Sequence, residues 1–185
     1  MADFEKALIR TTHEEGGYAN VSGDRGGETY RGIARNYNPD WAGWSVIDRQ
    51  GSIAHGAIIL EAEELVGDFY RKKYWSVVRG DEIKNQALAE LIFDWSVNSG
   101  KAVREIQKVL NFQFGANLVI DGVFGSKTLA AINAANADAL SNGIVNARIA
   151  YYAGGVSDGW LDSKFLRGLV NRARGFSTVG KFRAV

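Results

Sequence analysis

A pair of adjacent acidic residues stands near the start of the chain, in the run HEEGGYAN at residues 13 to 20. A carboxylic acid can donate a proton to a leaving oxygen, which is what the cleavage of a glycosidic bond requires. Such an acid must keep its proton near neutral pH, and burial in apolar surroundings favours this because it raises the pKa. The first question is therefore which of Glu14 and Glu15 faces the interior.

The element that must position these glutamates is a helix predicted over residues 3 to 14. One stripe of this helix consists of residues spaced by four, three and four positions: Phe4, Leu8, Thr11 and Glu15. Glu14 is rotated by about 100° toward the polar side. The pattern therefore favours Glu15 as an inward-facing acid. The ordinary alternative is a solvated or salt-bridged glutamate followed by a Gly-Gly helix stop. If Glu15 is catalytic, those glycines would let a substrate chain approach the backbone.

The remaining chain has apolar residues mostly at spacings of three and four, which indicates an all-α or α-dominated fold. The exception is a stretch rich in glycine, asparagine and aspartate between residues 17 and 50, predicted to form a loop or β-hairpin excursion after the first helix. Gly100 is predicted to end a helix in the left-handed conformation, and Ser126 to cap the start of another. Further helices are predicted over residues 54–78 (one or two), 85–100, 101–115, 126–136, 138–155 and 165–180.

Four stretches of the sequence carry a family resemblance. They are EGGYANVSGDRGGETYRGIA (15–34), ELVGDFYRKKYWS (64–76), FDWSVNSGKAVREIQKVL (93–110) and DGVFGSKTLAAI (121–132). The first three resemble the glycoside hydrolase family 108 muramidases, a lysozyme-like family common in phages and prophages. The fourth is similar to the peptidoglycan-binding module usually found in the second half of these proteins. The resemblance implies a lysozyme-like helical fold, hydrolysis of the bond between N-acetylmuramic acid and N-acetylglucosamine, and Glu15 as the catalytic acid.

The resemblance also suggests a second carboxylate, Asp24, nine residues after Glu15. This spacing is similar to that of the acid and second carboxylate of phage lysozymes, in which a threonine follows a few residues later. Thr29 comes one residue early for that comparison and Tyr30 occupies the expected offset, so either hydroxyl is a candidate for positioning water. The alternative for Asp24 is a turn residue, which suits its glycine-rich surroundings.

Further side chains have the chemistry to bind carbohydrate, because sugar rings offer apolar faces for stacking and hydroxyls for hydrogen bonds. Tyr18 and Asn20 lie next to Glu15 in the sequence, together with Thr29 and Tyr30. Asp94 and Asn98 are four residues apart on one helix face, where they could support Glu15 or bind substrate. Trp75 and Trp95, at helical spacing, are interpreted as core residues.

Composition excludes several other classes of function. The chain has no cysteine and only two histidines, His13 and His55, far apart in sequence, so neither a zinc site nor a cysteine nucleophile is expected. We therefore predict no cofactor and no metal. A net charge of +1 without a basic stripe gives no reason to expect binding to nucleic acid.

The start of the sequence lacks a signal-peptide pattern, and no segment is long enough to cross a bilayer. We therefore predict synthesis in the cytoplasm and no membrane insertion. The protein is expected to act on the cell wall after release or specialised export.

The expected organisation is a single compact domain over residues 1–185, with a lysozyme-like catalytic part at 1–98 and a helical part resembling a peptidoglycan-binding module at 99–185. The predicted partner is the peptidoglycan glycan strand, and the predicted state is a monomer. Three hypotheses for the function stay open: a muramidase of the endolysin or effector kind, a lytic transglycosylase that needs only one catalytic carboxylate, and a non-catalytic peptidoglycan-binding or secretion-associated protein.

Overall fold

The structure is a computed structural model that describes residues 1–12, 16–21 and 26–177. Within these ranges the chain forms eight α-helices and a small antiparallel sheet, which confirms the α-dominated fold with a strand excursion after the first helix. The helices are α1 (Phe4–Thr12), α2 (Gly43–Asp48), α3 (Leu60–Tyr70), α4 (Gln86–Asn98), α5 (Ala102–Phe114), α6 (Ser126–Ala134), α7 (Ala137–Ser157) and α8 (Ser163–Arg174). The strands are β1 (Tyr18–Ala19), β2 (Thr29–Tyr30) and β3 (Ile33–Ala34).

Helix α4 forms the centre of the interior, and all its residues from 88 to 95 are buried. It packs against α1, α5 and α7. On the α1 side, the Phe4 ring meets Phe93 edge to face with the ring centroids 6.0 Å apart. Complete burial of a side chain such as Phe93 stabilises the fold by roughly 1.5–3 kcal/mol relative to exposure. Trp75 and Trp95 are fully buried, as the helical spacing predicted.

The N-terminal helix confirms the predicted apolar stripe in its described part. Phe4 and Thr11 are buried, together with Ala7. The described part of the helix runs to Thr12, and residues 13 to 15 lie outside the described residues. The burial of Thr11 shows that the stripe faces the interior up to the last turn of the helix.

The sheet is a three-stranded antiparallel meander in the order β1-β2-β3. Tyr18 pairs with Tyr30 and Ala19 with Thr29 between β1 and β2. Strands β2 and β3 are joined by Arg31 and Gly32, whose φ angles of +48° and +77° give the left-handed turn that matches the twist of a two-residue hairpin. Six-residue helix α2 follows in the same excursion and was not predicted, because it is short and has no side-chain N-cap.

Two predicted helix ends differ from the structure. Helix α4 ends at Asn98 and its C-cap, Ser99, is extended at φ −154°, so the predicted left-handed cap at Gly100 is wrong. The left-handed glycine cap occurs one helix later, at Gly115. Ser126 is the first residue of α6 rather than its N-cap, and its hydroxyl accepts a hydrogen bond from Arg79 Nη1 at 2.9 Å instead of capping the helix.

The Asp-Gly turn of the C-terminal part is held by helix α5. Buried Gln107 donates from Nε2 to Asp121 Oδ1 at 2.9 Å and to the Val123 carbonyl at 3.1 Å, and its Oε1 accepts from the Gly122 amide at 2.9 Å. A single side chain therefore satisfies polar groups on three consecutive residues. The Asp-Gly turn is therefore fixed by a buried side chain of α5.

Candidate active site

The backbone at Gly17 and Tyr18 lies directly against residues 56 and 57. The Tyr18 amide donates to the Ala57 carbonyl at 2.9 Å, and the Gly56 amide donates to the Tyr18 carbonyl at 2.7 Å. A Cβ on Gly17 would lie 2.1 Å from the Ala57 carbonyl oxygen, whereas a Cβ on Gly16 would meet nothing within 4 Å. The close approach that the Gly-Gly pair allows is thus, at Gly17, an approach by the protein's own chain.

A polar cluster lies on the strands that follow. The Tyr18 hydroxyl donates to Glu28 Oε1 at 2.7 Å, and Arg35 Nε lies 2.5 Å from Glu28 Oε2 in an ion pair. Arg35 also donates from Nη2 to Asp48 Oδ1 at 2.5 Å and stacks over the Trp44 ring. Glu28 therefore links strand β1 to the turn after β3 and, through Arg35, to helix α2.

The hydrogen bond to Glu28 has a direct electrostatic consequence. It raises the pKa of the Tyr18 hydroxyl above its ordinary value of 10.0, because a negative charge beside the phenol disfavours tyrosinate, and partial burial adds to the effect. The Asn20 side chain acts on the same hydroxyl in the opposite sense and lowers its pKa. At neutral pH Tyr18 is therefore a protonated phenol held in place by a carboxylate.

Three of the predicted binding residues lie together on the first two strands or directly beside them. Tyr18 is on β1, Asn20 follows it and is exposed, and Thr29 is on β2 opposite Ala19. Thr29 is half-buried and donates from its hydroxyl to the Gly27 carbonyl at 3.2 Å. The predicted catalytic residues Glu15 and Asp24 lie outside the described residues.

Tyr30 occupies a position that does not fit the predicted contact with substrate. Its side chain is completely buried, and its hydroxyl donates to Glu63 Oε1 at 2.5 Å while accepting from the Ile59 amide at 2.8 Å. Burial and the Glu63 hydrogen bond raise its pKa to about 12. Glu63 also forms a two-pronged pair with Arg31, which holds that residue in its left-handed turn conformation. Tyr30 is thus an internal support of the sheet, because strand alternation directs it away from the surface.

Asp94 is likewise corrected from a substrate-binding residue to an internal one. Its side chain is only 1% exposed and is shared by two arginines. Arg148 Nη1 donates to Asp94 Oδ2 at 2.7 Å, and Arg172 donates from Nε and Nη2 to Oδ1 at 3.0 and 2.7 Å. These contacts occupy both carboxylate oxygens. Asn98, one turn later, is exposed and donates from Nδ2 to the Asp94 carbonyl at 2.7 Å.

Sequence reasoning missed the residues that organise both clusters. Glu28 and Arg35 gave no periodic signal, because the ion pair between them depends on a turn of the sheet. Arg148 did give a signal in the sequence, because it interrupts an apolar stripe of α7 between Ile144 and Tyr152. All three residues are buried. Arg172 lies on a helix with a polar face and could not be distinguished from its solvent-exposed neighbours.

One cavity in the described part of the chain lies beside the cluster around Asp94. A cavity of about 430 Å³ is lined by Arg10, Thr11, Asp94 and Arg172, beside the end of α1. A larger one of about 560 Å³ lies between residues 37–42 and helix α3, and no predicted site residue lines it.

The described ranges contain neither a cluster of metal ligands nor a membrane-spanning helix. Residues 1–12, 16–21 and 26–177 contain no group of three or more histidine, cysteine or acidic side chains arranged to hold a metal ion. None of the helices in these ranges combines the length and apolar character that a membrane crossing requires.

Comparison with known proteins gives matches over nearly the whole chain. Residues 8–100 match the family described as Glycosyl hydrolase 108, and residues 101–174 match the family described as Predicted Peptidoglycan domain. Among solved structures, SagA of Brucella abortus is 30% identical and superposes with a TM-score of 0.60 over 95% of each chain. No curated protein sequence matches the chain. The helices and the small sheet after α1 form a lysozyme-like fold.

Proposed function

The chain belongs to glycosyl hydrolase family 108 and is a glycoside hydrolase that acts on peptidoglycan, and we propose that it cleaves the bond between N-acetylmuramic acid and N-acetylglucosamine. The observation that carries this proposal is the family match over residues 8–100, which includes Glu15 and Asp24. The match to a peptidoglycan domain over residues 101–174 supports the same substrate.

In the proposed mechanism, Glu15 is the general acid that protonates the leaving oxygen. Asp24 assists the attacking water or stabilises the oxocarbenium-like transition state. Of the two hydroxyls considered for positioning water, we propose Thr29, because it is half-buried on β2 whereas the Tyr30 hydroxyl is buried and bonded to Glu63. The reaction as proposed needs no cofactor, since proton transfer and water attack suffice.

We propose that Tyr18, Asn20 and Asn98 contact the sugar chain. Tyr18 offers a half-buried ring and a phenol oriented by Glu28. Asn20 and Asn98 are exposed amides that can each donate and accept hydrogen bonds. This combination of a ring face with amides suits a substrate whose surface alternates between C–H groups and hydroxyls.

We further propose that the parts at 1–98 and 99–185 work as one unit, as a monomer. One cluster of buried apolar residues in the described part of the chain includes residues from Ala2 to Phe176, which supports a joint interior. The biological setting that we propose is bacteriolytic action as an endolysin of a phage or prophage. Its route to the wall would then be release through a permeabilised membrane or specialised export.

The test is to incubate purified peptidoglycan with the wild type, Glu15→Gln and the matched control Glu14→Gln, and to identify the soluble fragments by mass spectrometry. Glu15→Gln keeps the shape of the side chain and removes the acid. We expect fragments with reducing N-acetylmuramic acid ends from the wild type and from Glu14→Gln, and none from Glu15→Gln. Equal release by the wild type and Glu15→Gln would contradict the assignment of the acid.

Two other outcomes would replace the proposal with one of its competitors. Fragments with anhydro ends, together with nearly full activity of Asp24→Asn, would identify a lytic transglycosylase, in which a hydroxyl of the sugar replaces water. Binding of fresh wild-type protein to intact sacculi without release of any soluble sugar would identify a non-catalytic binding protein.

A further inference from the structure

The C-terminal helix α8 and the N-terminal helix α1 are joined by a reciprocal pair of arginines. Arg172, on α8, donates from Nη2 to the Thr11 carbonyl in the last turn of α1 at 2.9 Å. Arg10, on α1, donates from Nη2 to the Gly175 carbonyl just beyond α8 at 2.7 Å, and its guanidinium lies 4.0 Å from the centre of the Phe176 ring. Each helix thus supplies a cation to the C-terminal end of the other.

Arg172 contacts the main chain of Thr11 and not its side chain. An arginine side chain can donate hydrogen bonds to main-chain carbonyls near the C-terminal end of a helix. The Thr11 side chain is 1% exposed, and within the described ranges its hydroxyl has no hydrogen-bond partner. The threonine side chain therefore does not fix this end of α1, whereas the main-chain contact from Arg172 does.

Arg172 is itself held by a buried carboxylate. It shares the Asp94 carboxylate with Arg148, whose side chain is fully buried and whose Nε donates to the Tyr152 hydroxyl at 3.1 Å. Asp94 belongs to the central helix α4, so part of what orients the guanidinium comes from the interior. Buried hydrogen-bonded charges of this kind resist movement, because any displacement leaves a charge without its partner.

We propose that Arg172 is a positioning residue for the general acid. This inference rests on the proposed role of Glu15, which follows Thr11 by four residues in the sequence. By fixing the end of α1, Arg172 sets the point from which the chain continues to Glu15. The region matched to the peptidoglycan domain would then complete the catalytic part, in addition to any contact with the wall.

The experiment compares Arg172→Gln with Arg174→Gln, an identical change at an exposed arginine of the same helix. Initial rates on soluble peptidoglycan fragments give kcat and KM, at a temperature well below the unfolding transition of each variant as measured by circular dichroism. We expect kcat of Arg172→Gln to fall about 10- to 100-fold with KM little changed, because a small misplacement of a catalytic group has effects of this size. Arg172→Lys keeps the charge without the two-pronged donor and should lie between Arg172→Gln and the wild type.

The outcomes separate this inference from the proposed function. A fully folded Arg172→Gln with the kcat of the wild type would overturn the inference, and so would an equal loss in Arg174→Gln. If Glu15→Gln is inactive in the same assay while Arg172→Gln is not, only the positioning role is wrong. If the wild type releases nothing, the proposed function is wrong and the positioning role is wrong with it.

Discussion

An acidic side chain is held by arginine both in the interior and beside the sheet, but the two environments differ. In the interior, Asp94 is 1% exposed and pairs with Arg148, which is fully buried, and with Arg172, which is 18% exposed. Beside the sheet, Asp48 is 58% exposed and pairs with Arg35 at 2.5 Å. The N–O distances are similar, so geometry alone would rate the two sites as equivalent.

The difference in exposure makes the two carboxylates matter for different reasons. An exposed ion pair contributes little, because water already solvates both charges and salt screens them. A buried pair costs several kcal/mol of desolvation per ion, so that the removal of one partner leaves a charge that nothing compensates. The interior cluster should therefore control stability, whereas the cluster beside the sheet should control the orientation of side chains near the candidate site.

The largest expected effect is on stability, in the pair Asp94→Asn and Asp48→Asn. Both substitutions replace a carboxylate by an amide of the same shape. Asp94→Asn leaves Arg148 buried without a counter-charge and should lower the free energy of unfolding by about 3–5 kcal/mol. Asp48→Asn should leave the free energy of unfolding unchanged within the error of the measurement. Urea unfolding followed by tryptophan fluorescence measures both.

The same experiment can contradict the comparison. A similar loss in the two variants would mean that exposure does not decide the contribution of these pairs. High salt offers a second control, because it should reduce the coupling of exposed Asp48 with Arg35 far more than that of Asp94 with Arg148.

The second expected effect concerns the backbone beneath the sheet, in the pair Gly17→Ala and Gly16→Ala. A methyl group on Gly17 would lie 2.1 Å from the Ala57 carbonyl oxygen, and the backbone must move to accept it. We expect a loss of about 1–3 kcal/mol in the free energy of unfolding, in the range of other overpacked sites, and loss of peptidoglycan cleavage. Gly16→Ala, with nothing within 4 Å, should retain both. Equal behaviour of the two variants would show that Gly17 does not depend on the contact with residues 56 and 57.

Much of the fold could be predicted from the sequence because its determinants are local. The stripe of Phe4 and Thr11 follows from helical periodicity alone, and both residues are buried. The partners of Asp94 could not be predicted, because they lie 54 and 78 residues away in the sequence and are brought together only by packing. For the same reason Asp94 looked like a polar residue on a helix face, available to substrate.

The candidate site was predicted mainly from the family motif, and only partly from the spacing of apolar and polar residues. Tyr18, Asn20 and Thr29 lie on adjoining strands or directly beside them, as expected for residues near one another in an excursion of this length. Tyr30 was a candidate by sequence offset, but the alternation of strand β2 places it inside. Two-residue strands are too short for such alternation to be recognised in a sequence.

The smallest expected effect is spectroscopic and compares Tyr18 with Tyr30. The pKa of Tyr18 is raised from 10.0 chiefly by its hydrogen bond to Glu28, whereas that of Tyr30 is raised to about 12 chiefly by burial. Glu28→Gln should therefore lower the pKa of Tyr18 toward 10.0 and leave that of Tyr30 unchanged. Because the chain has seven tyrosines, the measurement is a ¹³C NMR titration of the labelled rings, with Tyr18→Phe to assign the signal.

The sign of the linked stability change follows from the same shift. Folded Tyr18 keeps its proton to a higher pH than the unfolded chain does, so its stabilising contribution is complete below pH 10.0 and is lost as the pH rises through the folded pKa. Glu28→Gln should reduce this pH dependence, because only the contribution of burial to the raised pKa remains. Glu63→Gln should leave most of the pKa shift of Tyr30 in place, because the side chain of Tyr30 stays buried. An unchanged pKa of Tyr18 in Glu28→Gln would mean that the carboxylate does not orient the phenol, and that Tyr18, like Tyr30, is controlled by burial.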